Sequence, residues 1–248
     1  GIDGDGLLHL ACASTQGQVG YMDSRADAEH LQAILAWGSG PEDLQVRDLT
    51  DELYSRTGAD ALFATSGSTV TWQGALLLPY VVRVGDRTHV QVVAVRGGEI
   101  QWLSDPLVGP QGVLLDETTL ALWDGRLVAN CRLQGFEGRG SGARYLAWGD
   151  GHSWNGGQLW DCEDPGCNAK QLADLFIHPH SLSSRRAGSV LRLTPPWEGR
   201  VRAEAVAALC GGEFGYSDLC VRGDEVVVVF ERDRDLWGVV LSMTELVS

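Results

Sequence analysis

The chain has 248 residues, with 33 acidic against 19 basic side chains for a formal charge of −14, and it carries 32 Gly and 9 Trp but only 2 Met. So acidic a composition argues against a nucleic-acid or anionic-membrane partner, and no stretch approaches the roughly 18 consecutive apolar residues of a membrane span. Many glycines and tryptophans with few methionines suit short strands joined by tight turns, so one all-β domain over residues 1–248 is expected.

The first residues, Gly1-Ile2-Asp3-Gly4-Asp5-Gly6, show neither the basic start nor the apolar core of a signal peptide, and no initiator Met. The chain reads as processed or truncated. Strand-like runs follow at 7–12, 75–83, 90–95, 117–122, 126–131 and 144–148, then at 173–178, 189–193, 219–221, 226–230 and 236–241. Turns such as Trp123-Asp124-Gly125-Arg126 and Arg222-Gly223-Asp224-Glu225 are hairpin signals between them. Residues 26–37 hold Leu31, Ile34 and Leu35 at helical spacing, yet in so strand-rich a chain the stretch is read as a strand. The run 226–230 is apolar at every position, which predicts a strand buried on both faces. Ala36-Trp37-Gly38-Ser39-Gly40 recurs as Ala147-Trp148-Gly149-Asp150-Gly151, and Trp102, Trp154 and Trp197 lie at intervals of about 40–55 residues. That spacing suggests propeller blades.

Six cysteines are scattered through the chain. Cys12 and Cys131 lie in apolar runs and are expected reduced and buried. Cys162 and Cys167 bracket Pro165-Gly166, and Cys210 and Cys220 flank Tyr216; either pair could bridge in an oxidising compartment. Neither cysteines nor histidines show zinc-ligand spacing, so no metal is expected. His178 and His180 form a His-x-His pair, but no role is assigned to it.

The segment EFGYSDLCVRGDEVVVVFE, 213–231, holds the tetrad Tyr216-Ser217-Asp218-Leu219 and ends its strand on Phe230-Glu231. It resembles the tyrosine region of the sialidases. Upstream, Glu117 opens a strand before the Asp124-Gly125 turn, and the returning strand ends on Arg132, again as in that family. Phe176-Ile177-His178-Pro179-His180-Ser181, then Ser184-Arg185-Arg186-Ala187-Gly188, resembles the family's His-Pro segment and its following arginine. Arg186 is the better match there and Arg185 the fallback. The hairpin WGDGHSW, 148–154, is similar to a degenerate Asp box, whose part in the family is structural.

The resemblance implies a six-bladed β-propeller of four-stranded blades and an exo-α-sialidase, a retaining glycoside hydrolase that releases terminal sialic acid. It implies Tyr216 as nucleophile, Glu117 as its base, and Arg132 and Arg186 on the substrate carboxylate. Glu231 would orient a third arginine. No cofactor is implied; the partner is a sialylated glycan, a substrate class that favours a secreted or cell-surface protein. The residue types make chemical sense. Sialic acid carries a carboxylate on its anomeric carbon, which would repel a carboxylate nucleophile, and sialidases use Tyr instead. A phenol needs a base within hydrogen-bond reach, and a carboxylate is best gripped by the planar, permanently charged fork of Arg.

One departure stands out. The family's third arginine lies in an Arg-Ile-Pro motif followed by an Asp general acid, and neither is found here. The expectation is therefore a propeller lacking its N-terminal blade, inactive alone, prone to associate, and completed by an upstream segment or a second chain. Two further readings stay open: a propeller that binds sialoglycans without cleaving them, and a scaffold for protein partners.

Overall fold

The computed structural model describes residues 1–15, 17–110, 113–134 and 142–247, for Val247 the backbone alone. Five antiparallel sheets follow one another along the chain. The first holds β1 (Leu8–Ser14), β2 (Gln32–Gly38) and β3 (Gln45–Asp48). In the second, β4 (Ala61–Ala64) and β5 (Val70–Trp72) both pair with β6 (Ala75–Val84), which continues to β7 (Arg87–Arg96) and β8 (Glu99–Leu103). The third is β9 (Leu114–Trp123), β10 (Arg126–Gln134), β11 (Ala143–Gly149) and β12 (Trp154–Asp161). The fourth is β13 (Lys170–Leu172), β14 (Leu175–Pro179), β15 (Gly188–Leu193) and β16 (Ala203–Ala208), and the fifth is β17 (Ser217–Arg222), β18 (Glu225–Arg232) and β19 (Asp235–Ser242). The result is an all-β propeller of five blades. The six-bladed expectation is thereby corrected. Its number came from the resemblance, whereas roughly 50 residues per sheet, inside the usual 40–55-residue blade, divides this chain into five.

Sheet-on-sheet cores hold the blades together. Strand β6 shows the logic of a period-two pattern buried on both faces. Leu76, Leu78, Tyr80 and Val82 pack towards the first sheet with Leu35 and Ala33, while Ala75 and Leu77 join Leu120, Leu127 and Ala129 of the third. Trp123, Val128 and Leu146 meet Phe176 and Leu191 between the third and fourth sheets, and Ile177 and Val190 meet Val226, Val228 and Phe230 between the fourth and fifth.

A short helix, α1 (Thr50–Thr57), was not expected from the sequence. Asp48 accepts the Thr50 N–H at 2.8 Å, Asp51 and Glu52 sit in the first turn, and Gly58 closes the helix with φ 65° and an N–H to the Tyr54 carbonyl. These are the usual helix boundary devices. Its Leu53 and the preceding Leu49 lie in the core between the first two sheets. A second helix, α2 (Met243–Val247), ends the described chain, and no described helix is long and apolar enough to cross a membrane.

The outer faces of the first and last sheets differ from the four filled gaps. Leu10, Ala36 and Val46 share one face of the first sheet, where Leu10 and Val46 are exposed. Val229, Leu236 and Val240 are exposed on the fifth. This overturns the expectation that 226–230 is buried on both faces: β18 is covered on the Val226, Val228 and Phe230 side alone. Cys12 is likewise exposed rather than buried, and all six cysteines are free thiols. Apolar sheet faces of this kind drive association. Val229→Lys together with Val240→Lys is expected to reduce self-association in sedimentation velocity while leaving the melting temperature close to that of the parent.

Candidate active site

The site begins with an irregularity in the third sheet. Cys131 pairs with Thr118 and Leu133 with Leu115, so Arg132 alone stands opposite two residues, Asp116 and Glu117. That is a β-bulge in β9, the device that bends a strand and re-aims its side chains. The Arg132 guanidinium meets both carboxylates, Nη1 at 2.7 Å from Glu117 Oε2 and Nε at 3.9 Å from Asp116 Oδ2. Burial raises the Asp116 pKa, which the Arg132 charge opposes and the Glu117 charge reinforces.

Tyr216 arrives from the fifth sheet. It immediately precedes β17, where its carbonyl accepts the Glu231 N–H at 2.9 Å and the Gly215 N–H bonds back to the Glu231 carbonyl at 2.8 Å. The phenol then reaches across the propeller to donate to Glu117 Oε1 at 2.6 Å, over 99 residues of sequence. Burial pushes its pKa well up, helped by the hydrogen bond to Glu117 and that residue's charge, while Arg185 and Arg132 pull the other way. The resting group is a phenol, and it can become a nucleophile only as its proton passes to Glu117.

The fourth sheet contributes through the segment between β14 and β15. Here the two arginines that the sequence offers, Arg186 first and Arg185 as the fallback, are placed differently. Arg185 places its guanidinium 5.2 Å from the centroid of the Tyr216 ring, a cation–π arrangement. Arg186 instead forms a backbone bridge with Glu213, and among the described residues its side chain makes no hydrogen bond or ion pair with Glu117 or Tyr216. Arg185 also lines a cleft of about 560 Å³ together with Glu213, Gly215, Glu231, Arg232 and Arg234. Glu231 does not pair with an arginine among the described residues; its Oε2 takes the Tyr216 N–H at 3.4 Å.

Several participants carry no sequence motif. Ser66 donates to Glu117 Oε1 at 2.9 Å and accepts from Asn168 Nδ2 at 2.7 Å. It reaches that position because Gly67 lies directly on the Thr118 carbonyl, where any Cβ would collide with the β9 backbone. Behind Asn168, Arg144 is fully buried and bonds Asp164 at 2.9 Å, Asn130 Oδ1 at 2.6 Å and the Cys167 carbonyl at 3.1 Å. His178 stands 3.5 Å from the same Asp164 carboxylate and 3.2 Å from His180, and burial lowers the His178 pKa. His178 is thus part of this polar core, with the partly exposed His180 at its edge. Among the described residues no group of three or more His, Cys, Asp or Glu is placed to hold a metal ion.

No protein-family model and no curated sequence matches the chain. Solved structures do. The Trypanosoma rangeli sialidase, in its covalent intermediate with 2,3-difluorosialic acid, superposes with a TM-score of 0.66 at 14% identity, over 97% of this chain and 43% of that one. The NanB sialidase of Streptococcus pneumoniae gives 0.61 at 13% identity, over 87% and 36% respectively. A neuraminidase-like protein from A/bat/Guatemala gives 0.52 at 9%, over 90% and 64%. This chain therefore spans about two fifths of the length of the Trypanosoma rangeli structure, and what it shares at such identities is the sialidase β-propeller fold.

Proposed function

We propose that this propeller, built like those of the sialidases, belongs to an exo-α-sialidase that releases terminal sialic acid from glycoconjugates with retention of configuration. The observation that carries the reading is the 2.6 Å hydrogen bond from Tyr216 to Glu117 at the meeting point of the third and fifth sheets. In this reading Tyr216 attacks the anomeric carbon as its proton moves to Glu117, and the departing aglycone takes a proton from an acid supplied from outside this chain. Water then gives a proton back to that acid as it hydrolyses the glycosyl-tyrosine, and Glu117 returns its proton to Tyr216. Arg132 and Arg185 grip the substrate carboxylate, with Arg185 taken in place of Arg186 because its guanidinium lies against the Tyr216 ring. Glu231 would orient a further arginine supplied by an upstream segment or a second chain. The substrate class favours a secreted or cell-surface site of action.

A second reading, a propeller that binds sialoglycans without turnover, is favoured by Glu231, whose carboxylate lacks an arginine among the described residues. Both readings require binding, and a protein scaffold does not. Free sialic acid at about 100 times its Kd is expected to stabilise the fold by about 2.7 kcal/mol. For a chain of this size that is a rise of roughly 5–10 °C in melting temperature. Arg185→Ala should weaken binding about tenfold or more and Arg186→Ala should leave it nearly unchanged. No thermal shift in the parent protein would exclude both glycan readings. Turnover of a fluorogenic sialoside by the complete protein separates the first from the second.

A further inference from the structure

The segment Thr65-Ser66-Gly67-Ser68-Thr69 interrupts the second sheet between β4 and β5 and bends across β9. Glu117 Oε1 there receives two donors at once, Tyr216 at 2.6 Å and Ser66 at 2.9 Å. Asn168 Nδ2 occupies the acceptor side of the Ser66 hydroxyl at 2.7 Å, which turns the serine proton towards the carboxylate. With its acceptor side taken by Asn168, the serine has its one proton left for Glu117 Oε1. Asn168 is itself immobilised. It is 2% exposed and follows Cys167, whose N–H bonds Asp164 at 3.3 Å and whose carbonyl holds Arg144. The turn 162–167, flagged in the sequence only for its two cysteines, is the anchor of this chain of contacts.

We propose that Asn168 and Ser66 form a positioning relay that sets how strongly Glu117 holds a proton and which of its oxygens faces Tyr216. Ser66 does not touch the reacting atoms. It bonds the ionised carboxylate before the Tyr216 proton moves to Oε1, and that donation weakens once Oε1 is protonated. The relay therefore restrains the base and fixes its direction. Its catalytic consequence rests on the sialidase reading, but the titration it governs does not.

The test is a carbon-13 NMR titration of glutamate side-chain carboxyls in the whole chain, with Glu117→Gln identifying the Glu117 signal. Ser66→Ala is expected to raise the Glu117 midpoint by about one pH unit, the size of one hydrogen bond to a charged acceptor. Ser66→Cys, which keeps the volume and weakens the donor, should move it the same way, and Ser66→Thr should restore it. Asn168→Ala should also raise it without touching Glu117. Ser68→Ala, which removes a contact to Thr119 from the same segment, should not. An unmoved midpoint in both Ser66→Ala and Ser66→Cys overturns the proposal; an unmoved midpoint in Asn168→Ala overturns the relay. In the active protein the acid limb of turnover against pH should move with the midpoint. If Tyr216→Phe kept its turnover while these midpoints moved as stated, the sialidase reading would fail and the relay would stand.

Discussion

If the sialidase reading holds, Tyr216→Phe in the complete protein is expected to lower cleavage of a fluorogenic sialoside by about a thousandfold or more, with affinity for free sialic acid changed less than about threefold. The substitution deletes one oxygen. It keeps the ring beneath Arg185 and leaves Glu117 bonded to Ser66 and Arg132, so the fold and the carboxylate clamp persist. Loss of turnover with retained binding is the signature of a group that acts in the transition state and not in ground-state binding. A variant with more than about a tenth of parental turnover would refute the nucleophile assignment. A complete protein that binds sialic acid and never cleaves would return the binding-module reading.

The largest stability effect should come from Asp164→Asn. Arg144 is wholly buried, and Asp164, 1% exposed, is the one carboxylate ion-paired with it among the described residues. Neutralising that carboxylate leaves a buried cation without its counter-charge, which costs about 3–5 kcal/mol at neutral pH. The acid limb of stability follows from the same pair. Burial pushes the Asp164 pKa up, but the Arg144 charge, the His178 contact and the Gly166 N–H together hold it well below 3.8. A carboxyl depressed in the folded state stabilises the protein above its unfolded value and loses that contribution as pH falls through the folded one. Between pH 7 and pH 3, where this loss has begun, the urea midpoint should therefore fall further in the parent than in Asp164→Asn. Parallel declines in the two proteins would show that the pair contributes nothing to acid lability.

Where the sequence was readable, physical pattern made it so. The central strands β6, β7, β9 and β10 announced themselves because both their faces are buried and glycine turns bound them. Residues 32–38 are the strand β2 that the helical spacing of Leu31, Ile34 and Leu35 argued against. Outer strands such as β3, Gln45–Asp48, and β16, Ala203–Ala208, passed unseen because they are half-solvated and their pairing is dictated by a neighbour. The run 226–230 misled because an apolar strand looks the same whether or not another sheet covers its second face. In the site, Glu117, Arg132 and Tyr216 could be picked out by local context, and the fold brings them within hydrogen-bond distance in series. Arg185 and Arg186 could not be separated, since a loop lacks the strict alternation that fixes side-chain direction in a strand. Ser66 and Asn168 had no pattern to betray them; they meet across 102 residues only because Gly67 and the Asp164 turn put them there.

The bulge in β9 has a genetic corollary. Thr118 and Leu115 keep regular partners on either side of it, so Asp116 and Glu117 together fill the place of one residue, and Asp116 is the one whose loss would spare Glu117. In-frame loss of that single codon would leave both flanking registers as they are and turn Arg132 against one carboxylate instead of two. Every core residue of the sheet would keep its face, while the kink that presents Glu117 to a tyrosine from another blade would relax. Fold and site geometry are thus separable here by the smallest in-frame length change a gene can undergo. On the sialidase reading, a lineage could pass from cleaving a glycan to merely holding it, or back again, without rebuilding a blade.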